Sequence, residues 1–204
     1  MKAFIEVAPD PIASRAQIGE LGQLLRDQGK LEERKHILPF FRSRPHLAAA
    51  LGSINPALIT PDRIAFEYDL FGDFKCDRVV GDSRRKAYSF IEFEEGGPGS
   101  VFVAKARKAS PEWSPRFDHG FSQIIDWFWK LRDLERTHEF QARFGEPIEY
   151  SAMLVIGRGM SFGPREDRRW RWRQQSVIVD SKHVNCLTFE QLYEALALRS
   201  ATAT

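Results

Sequence analysis

The chain has 204 residues, of which 43% are hydrophobic and 28% are charged, and its formal net charge is +2. These values are typical of a globular protein with one domain and one core, and they do not by themselves indicate a nucleic-acid-binding protein. Two cysteines exclude a disulfide framework and match no zinc-binding spacing, so we expect buried thiols in a reducing compartment. No segment resembles a signal peptide or a membrane span, and we expect a cytoplasmic protein.

The first part of the chain is predicted to be helical. An apolar stripe predicts a helix over 15–27 with Ser14 as its N-cap. A second helical segment over 31–41 is interrupted by Pro39, and a short helix is expected around 45–51.

Three short antiparallel strands are predicted next, because aromatic and β-branched residues dominate three runs that turn residues separate. The runs cover 64–71, 74–82 and 88–94. This meander holds the most informative acidic residues of the chain.

The register of the second and third strands predicts a carboxylate cluster. If residues 81–88 form the loop, Asp77 lies opposite Glu92, and the alternation of side chains along a strand puts Glu94 on the same face as Glu92. Three carboxylates form the oxygen-only ligand set that suits Mg²⁺ or Mn²⁺. The alternative is an edge hairpin with a solvated acidic face.

The second half begins with a loop over 109–118. Apolar residues then recur at helical spacing over 120–143 and predict one long helix. The apolar run 151–156 has the length of a strand buried on both faces, and we expect it to be the parallel partner in a βαβ crossover.

Pro164 is expected to begin a helix in which five arginines accompany two tryptophans. The tryptophans are two residues apart, so they cannot share one face, and at least one is expected in the core. For these arginines the alternatives are a solvated charged surface, contacts between subunits and contacts with DNA. Thr188 is predicted to cap a last helix over 189–198.

The order of these elements, α-β-β-β-α-β, is similar to the core of the PD-(D/E)XK nuclease superfamily. Over about residues 30–198 the chain also resembles the Shedu family of bacterial anti-phage defence proteins in seven motifs: Glu33-Arg-Lys-His-Ile-Leu-Pro-Phe-Phe41, Pro45-His-Leu47, Cys76-Asp-Arg-Val-Val-Gly-Asp82, Phe90-Ile-Glu-Phe-Glu94, His119-Gly-Phe-Ser-Gln-Ile-Ile-Asp-Trp127, Leu154-Val-Ile-Gly-Arg158 and Thr188-Phe-Glu-Gln-Leu192.

The resemblance implies an α/β fold with a restriction-endonuclease-like core, that is, a mixed sheet flanked by helices, with extra N-terminal and C-terminal helices. It divides the chain into an N-terminal extension (1–30), a nuclease-like domain (31–198) and a disordered tail (199–204).

The resemblance also implies roles for single residues. Asp77 and Glu92 match metal ligands of the superfamily, and Gln123 matches a glutamine that positions the metal-bound water or the scissile phosphate. Glu94 stands where the superfamily usually has lysine, and it is interpreted as a third ligand or a general base. Glu33 matches an extra acid near the metal; the alternative is a charge at the start of a helix. His119 lies one helical turn before Gln123, within reach of the site; the alternative is a structural hydrogen-bonding role.

Basic residues near these acids are predicted to contact DNA phosphates. They are Arg84, Arg85, Lys86, Lys105, Arg107 and Arg158. For Arg158 the alternative is an ion pair with an acidic metal ligand. Lys86, Lys105 or a second metal ion is a candidate substitute for the missing lysine. For the loop residues, the alternative is a solvated charged surface.

The sequence therefore predicts a DNA endonuclease or nickase that depends on Mg²⁺ or Mn²⁺ and acts in anti-phage defence. Its expected partners are DNA, further copies of the same chain and an activating partner that the sequence does not identify. The alternatives are a catalytically weak or inactive nucleic-acid-binding module on the same fold and a regulatory or assembly subunit.

Overall fold

The computed structural model of the protein describes residues 3–106, 108 and 110–202. The strands are β1 (Ile5–Glu6), β2 (Arg63–Leu70), β3 (Phe74–Asp82), β4 (Ala87–Phe93), β5 (Phe102–Val103), β6 (Glu112–Trp113), β7 (Glu149–Val155), β8 (Ile178–Val179) and β9 (Lys182–Leu187). The helices are α1 (Pro11–Asp27), α2 (Leu38–Arg42), α3 (Pro45–Ala50), α4 (Pro115–Leu134), α5 (His138–Phe144), α6 (Pro164–Ser176) and α7 (Phe189–Thr202). A π-helical turn, Glu33–Ile37, leads directly into α2. Among the described residues, no helix is both long and apolar enough to cross a bilayer.

Seven strands form one mixed sheet in the order β1-β2-β3-β4-β7-β9-β8. The meander β2-β3-β4 is antiparallel, whereas β7 runs parallel to β4 and β9 runs parallel to β7. One face packs against α4, α5 and α6, and the other packs against α1, α2, α3 and α7. The predicted α/β architecture with helices on both faces is confirmed, and so is the parallel crossover between β4 and β7.

The first helix begins earlier than its apolar stripe indicates. Asp10, and not Ser14, is the N-cap: its carboxylate accepts hydrogen bonds from the backbone N–H groups of Ile12 and Ala13 at 3.0 and 2.9 Å. Pro11 occupies the first helical position, where its missing N–H has no consequence. Cap chemistry therefore adds a turn that the apolar pattern alone does not show.

The long helix predicted over 120–143 starts earlier, at Pro115. The Ser114 hydroxyl accepts a hydrogen bond from the backbone N–H of Phe117 at 2.9 Å and caps α4. The segment predicted as a loop over 109–118 thus contains β6 and the first turn of α4, and that prediction is wrong.

The same predicted helix is two helices in the structure. α4 ends at Leu134, and Thr137 caps α5 by accepting a hydrogen bond from the backbone N–H of Phe140 at 3.2 Å. The break redirects the chain, so that Phe140 and Phe144 enter the core beside the sheet. Neither glycine nor proline marks this break, which is why the apolar periodicity runs across it.

The last helix carries the cap that was predicted and extends beyond its predicted end. The Thr188 hydroxyl accepts from the backbone N–H of Gln191 at 3.3 Å, and the Gln191 side chain accepts from the backbone N–H of Thr188 at 3.1 Å. This reciprocal pair is a capping box. Because α7 continues to Thr202, residues 199–202 are helical and the predicted tail is wrong there. Residues 203 and 204 lie outside the described part.

Arg158, just after β7, is a buried structural residue and not the predicted phosphate contact. Its guanidinium donates to the carbonyl oxygens of Gln28 and Leu25, at 2.6 and 2.8 Å, and to the carboxylate of Glu190. Only 4% of the residue is exposed. These bonds join the C-terminal end of α1 to the first turn of α7, so the guanidinium faces the interior and not the surface.

We expect Arg158→Ala to lower the free energy of unfolding by about 3 kcal/mol, because it leaves buried carbonyl groups and part of the Glu190 carboxylate without a donor. Urea denaturation measures the change. The control is Arg171→Ala, which removes an exposed ion pair with Asp167 on α6 and should change stability by less than about 0.5 kcal/mol. Equal stability of Arg158→Ala and the parent would contradict the structural role.

Candidate active site

The register of the hairpin formed by β3 and β4 agrees with the prediction. Val80 pairs with Ser89, and the same register continued along the strands sets Asp77 opposite Glu92. One oxygen of the Asp77 carboxylate accepts a hydrogen bond from the backbone N–H of Phe93 at 2.9 Å. This bond ties Asp77 to β4 where the regular ladder has ended.

The backbone of β2 is irregular opposite Asp77. Glu67 has φ of 46°, a value that a side-chain-bearing residue adopts only at a cost of about 1 kcal/mol or more. As a result Phe66 packs towards the α1–α3 side, while Tyr68, two residues on, packs towards α4 and α5. Such strain is most frequent at functional sites, and here it faces the predicted metal ligand.

Glu92 and Glu94 are buried together at the end of β4. They are 9% and 3% exposed. The Oε2 atom of Glu92 is buried and accepts no hydrogen bond from any residue that the structure describes. A buried carboxylate oxygen without a donor is costly, so this atom points to a ligand or to a functional demand.

A glycine on α4 allows this helix to approach Glu94 closely. A Cβ atom at Gly120 would lie 2.8 Å from Cδ1 of Leu154 and 3.2 Å from Cγ of Glu94. The first contact is closer than real Cβ atoms tolerate. Gly120 therefore brings the N-terminal part of α4, with its polar side chains, against the end of β4.

Four carboxylates influence one another here, and we call Glu33, Asp77, Glu92 and Glu94 the acidic cluster. Burial raises the pKa of Glu92, and the negative charges of Asp77, Glu94 and Glu33 raise it further. Burial also raises the pKa of Asp77, against the hydrogen bond from Phe93, and Glu33 adds to the rise. The pKa of Glu94 is raised by burial although Arg116 opposes it. The structure therefore brings Glu33 together with the three acids that the strand register predicted.

Arg116 contacts three acidic residues and was missed in the sequence. Its Nη1 atom lies 2.8 Å from Oε2 of Glu94 and 3.8 Å from Oε2 of Glu33, and its Nη2 atom lies 3.3 Å from Oε2 of Glu95. The segment was interpreted as a loop. The signal that would have found Arg116 is Ser114 followed by Pro115, an N-cap and first-turn pair that begins a helix.

His119 and Gln123 follow on α4. His119 is exposed and lines a cleft of about 470 Å³ with Glu94, Glu95 and Arg116, which we call the α4 cleft. Positive charge on His119 would lower the pKa of Glu94. The Oε1 atom of Gln123 is buried and accepts no hydrogen bond within the described residues. Both residues are therefore on the helix that approaches the acidic cluster, as predicted.

A second cleft, of about 610 Å³, opens beside Asp77, and we call it the β3 cleft. It is lined by acidic Glu33, Glu67 and Asp77 and by basic Arg34, Arg42 and Lys75. Arg42 pairs with Glu67 at 2.6 Å, whereas the side chains of Arg34 and Lys75 form no ion pair with any described residue. Sequence reasoning passed over these cations, although Lys75 is only two residues from Asp77.

Three predicted phosphate contacts lie at the wrong end of the hairpin: Arg84, Arg85 and Lys86. The turn that holds them begins after Asp82, five residues beyond Asp77, so about 16 Å of strand separates it from the acidic cluster. Lys86 donates to the carbonyl oxygen of Glu146 at 2.5 Å. Lys86 therefore does not substitute for the lysine that the superfamily motif has.

The remaining predicted contacts lie beyond β5. Lys105 pairs with Glu112 at 2.9 Å, and Lys108 pairs with the same carboxylate. These two lysines lower the pKa of the exposed Glu112 to about 2. Arg107, another predicted contact, lies outside the described residues. Lys105 is exposed, and its role in binding phosphate stays a prediction.

The acidic cluster fits a divalent cation by its donor chemistry. In the described part of the chain no three His, Cys, Asp or Glu side chains are already arranged around one point that could hold an ion. Carboxylate oxygens are nevertheless the ligands that Mg²⁺ and Mn²⁺ prefer. The unpartnered oxygen of Glu92 and the raised pKa values of Asp77 and Glu92 mark a surplus of negative charge that a cation would relieve.

We expect Glu92→Gln to stabilise the fold in buffer that contains a chelator. The folded pKa of Glu92 lies above its ordinary value of 4.5, so its contribution to stability is lost as pH rises above about 4.5. Glutamine escapes this loss, and the gain should grow with pH to about 2 kcal/mol near pH 8. Thermal unfolding from about pH 5 to about pH 8 measures it.

The control for that prediction is Glu112→Gln, because the pKa of Glu112 is lowered and the expected sign is opposite. Glu112→Gln should gain no stability at neutral pH. If Glu92→Gln is less stable than the parent at every pH, the charge of Glu92 does not destabilise the folded protein.

A comparison with protein-family models identifies the family of the chain. The model described as Shedu protein SduA, C-terminal, matches residues 30–193, a range that includes the whole acidic cluster, Arg116, His119 and Gln123. A search of curated proteins returned no match. Because the family model covers most of the sequence, this chain belongs to the Shedu family of anti-phage defence proteins.

Proposed function

We propose that this chain is a divalent-metal-dependent deoxyribonuclease of the PD-(D/E)XK type, an endonuclease or nickase, with DNA as partner and a homo-oligomer as its assembly. The observation that carries the proposal is the buried Glu92 carboxylate, which has an unpartnered oxygen and shares the acidic cluster with three further acids. Buried groups with strongly perturbed pKa values cluster at functional sites. A purely structural strand end would gain stability by losing this charge.

The proposed ligands of Mg²⁺ or Mn²⁺ are Asp77 and Glu92, with Glu94 as a third ligand or as the general base. A bound ion would supply a water of lowered pKa and charge stabilisation at the phosphate. Asp77 is held in place by the N–H of Phe93, and Glu94 by α4, so neither side chain needs a large reorganisation before the reaction. Gln123 is proposed to position the attacking water or the phosphate.

Arg116 is the proposed substitute for the lysine of the superfamily motif. It already donates to Glu94, two residues after Glu92, which is the position where that lysine would stand. A guanidinium donates to phosphate oxygens as readily as to carboxylates, and often with two parallel hydrogen bonds. Arg116 is therefore proposed to move between Glu94 and the scissile phosphate.

The two clefts provide a path for DNA on either side of the acidic cluster. The β3 cleft offers Arg34 and Lys75, and the α4 cleft offers Arg116 and His119. Salt bridges to phosphates release counterions, so binding through these cations should weaken steeply as salt rises. Sequence-independent contacts of this kind are sufficient to position a backbone for cleavage.

We expect the parent to cleave plasmid or linear DNA with Mg²⁺ or Mn²⁺ and Glu92→Gln to lose about a thousandfold in rate. Gel analysis of DNA products measures the rates, with Glu112→Gln as the matched control at parental rate. Since Glu92→Gln is expected to be the more stable protein, its loss of activity would not reflect unfolding. If Glu92→Gln and the parent cleave DNA at equal rates, the acidic cluster has no part in cleavage.

We expect Arg116→Ala to lower the cleavage rate by about a hundredfold and to leave the affinity for Mn²⁺ the same or higher, because the acidic cluster loses its neutralising cation. Calorimetric titration with Mn²⁺ and cleavage rates separate the two effects. The control is Arg132→Ala, because Arg132 lies on α4 like Arg116 and forms an exposed ion pair with Asp180. Its cleavage rate and its affinity for Mn²⁺ should equal those of the parent. Parental cleavage by Arg116→Ala would contradict its role.

A nucleic-acid-binding module without catalysis is the second candidate. The contact between Arg116 and Glu94 favours it, since an acid held by a guanidinium is a poorer ligand for a metal ion. Salt-sensitive DNA binding by the parent, with no cleavage in Mg²⁺ or Mn²⁺ on several DNA forms, would decide for this candidate.

A further inference from the structure

The surface of α6 holds a third cleft, of about 490 Å³, that none of the proposed catalytic residues lines. We call it the α6 cleft; its walls are Ser110, Trp113, Arg165, Arg168, Arg169 and Trp172. On α6 the spacing of Arg165, Arg168 and Trp172 is i, i+3 and i+7, which puts the three side chains on one face of the helix. The cleft therefore combines an aromatic surface with a row of cations.

Two of its arginines have no ion-pair or hydrogen-bond partner among the described residues. Arg169 donates to the carbonyl oxygen of Pro111, and its guanidinium lies 5.1 Å from the ring centre of Trp113. The side chains of Arg165 and Arg168 form no ion pair and no hydrogen bond with any residue that the structure describes. Their charge is available to an anionic ligand.

The two tryptophans of α6 have opposite environments. Trp170 is fully buried, and its Nε1 atom donates to Oε1 of Gln191 at 2.9 Å. Trp172 is 63% exposed. Burial of Trp170 fixes the rotation of α6 about its axis and thereby holds the indole of Trp172 towards solvent. The exposed indole of Trp172 therefore lies on the same helix face as Arg165 and Arg168, in one cleft.

The opposite wall of the cleft is rigid. Trp113 stacks on Phe102 and Phe117, with ring centres 4.5 and 4.6 Å apart. The stack continues into the core of the sheet, so Trp113 cannot easily turn away. A flat ligand that enters the α6 cleft thus contacts a preformed aromatic surface. Its binding causes little loss of conformational entropy in the protein.

We propose that the α6 cleft binds single-stranded nucleic acid, with one base stacked on Trp172 and neighbouring phosphates on Arg165 and Arg168. An unpaired base exposes the π-face that an indole can cover, whereas a base inside a duplex is already stacked. Arg165 and Trp172 are seven residues apart, or about 10 Å along the helix, which matches two to three nucleotides. The proposal rests on the proposed function only in taking DNA as the ligand.

The test is fluorescence anisotropy of a labelled 12-nucleotide oligothymidine with the full chain in a chelator, where no cleavage can occur. We expect Trp172→Ala to weaken this binding about tenfold and to change the affinity for a blunt duplex of equal length less than twofold. Arg168→Gln should reduce the dependence of single-strand affinity on salt by about one counterion. The matched control is Trp129→Ala, which removes an equally exposed tryptophan from α4 and should bind like the parent.

Three outcomes would overturn this proposal. The first is parental affinity of Trp172→Ala for the oligonucleotide. The second is equal or tighter binding of a polyglutamate peptide that also depends on Trp172, which would assign the cleft to an acidic protein partner. The third is a change of oligomeric state in sedimentation of Trp172→Ala, which would assign it to contacts between copies of the chain. Because these measurements need no metal, they remain valid whether or not the nuclease proposal survives.

Discussion

The hydrogen bond from the N–H of Phe93 to the Asp77 carboxylate is the contact on which the acidic cluster depends. It fixes Asp77 to a strand that is itself paired on both sides, by β3 and by β7. Glu92 therefore cannot relax away from Asp77 without breaking the sheet. Because the backbone is rigid, the carboxylates cannot move apart. Their mutual repulsion therefore raises the pKa values of Asp77 and Glu92.

Arginines on the two faces of the sheet offset this charge in different ways. Arg78 is buried beside Asp77 with its guanidinium 4.0 Å from the ring centre of Phe66, and burial lowers its pKa to about 9. Arg116 is half exposed and contacts Glu94 directly. Arg158, in contrast, is fully used to join α1 to α7. Of these three arginines, Arg116 alone combines contact with the acidic cluster and access to solvent.

Strand alternation predicted the register of the hairpin, whereas the ends of helices and the burial of single arginines were not predictable. The pairing of Val80 with Ser89 follows from strand alternation, and it places Asp77 opposite Glu92. The loop expected over 81–88 is shorter, because Gly81 pairs with Tyr88 and Asp82 pairs with Ala87. Nothing in a sequence tells whether an arginine after a strand is clamped like Arg158 or free. Ser114 caps α4, but the apolar stripe of this helix begins later. The apolar pattern therefore does not predict the first turn of α4, in which Arg116 lies.

The chain has no lysine two residues after Glu92 and so departs from the sequence motif. A positive charge is nevertheless present at this place, because Arg116 donates to Glu94. Buried carboxylates are stabilised by a cation within a few ångströms. Because this stabilisation depends on distance, the cation can belong to any neighbouring element. Here Gly120 permits the close packing of α4 on the end of β4, and that packing delivers Arg116 to Glu94. A charge supplied from a neighbouring helix can move without disturbing the strand that holds the acids. A lysine at position 94 would be tied to the end of β4, whereas Arg116 belongs to a different element from the strand that carries Glu92.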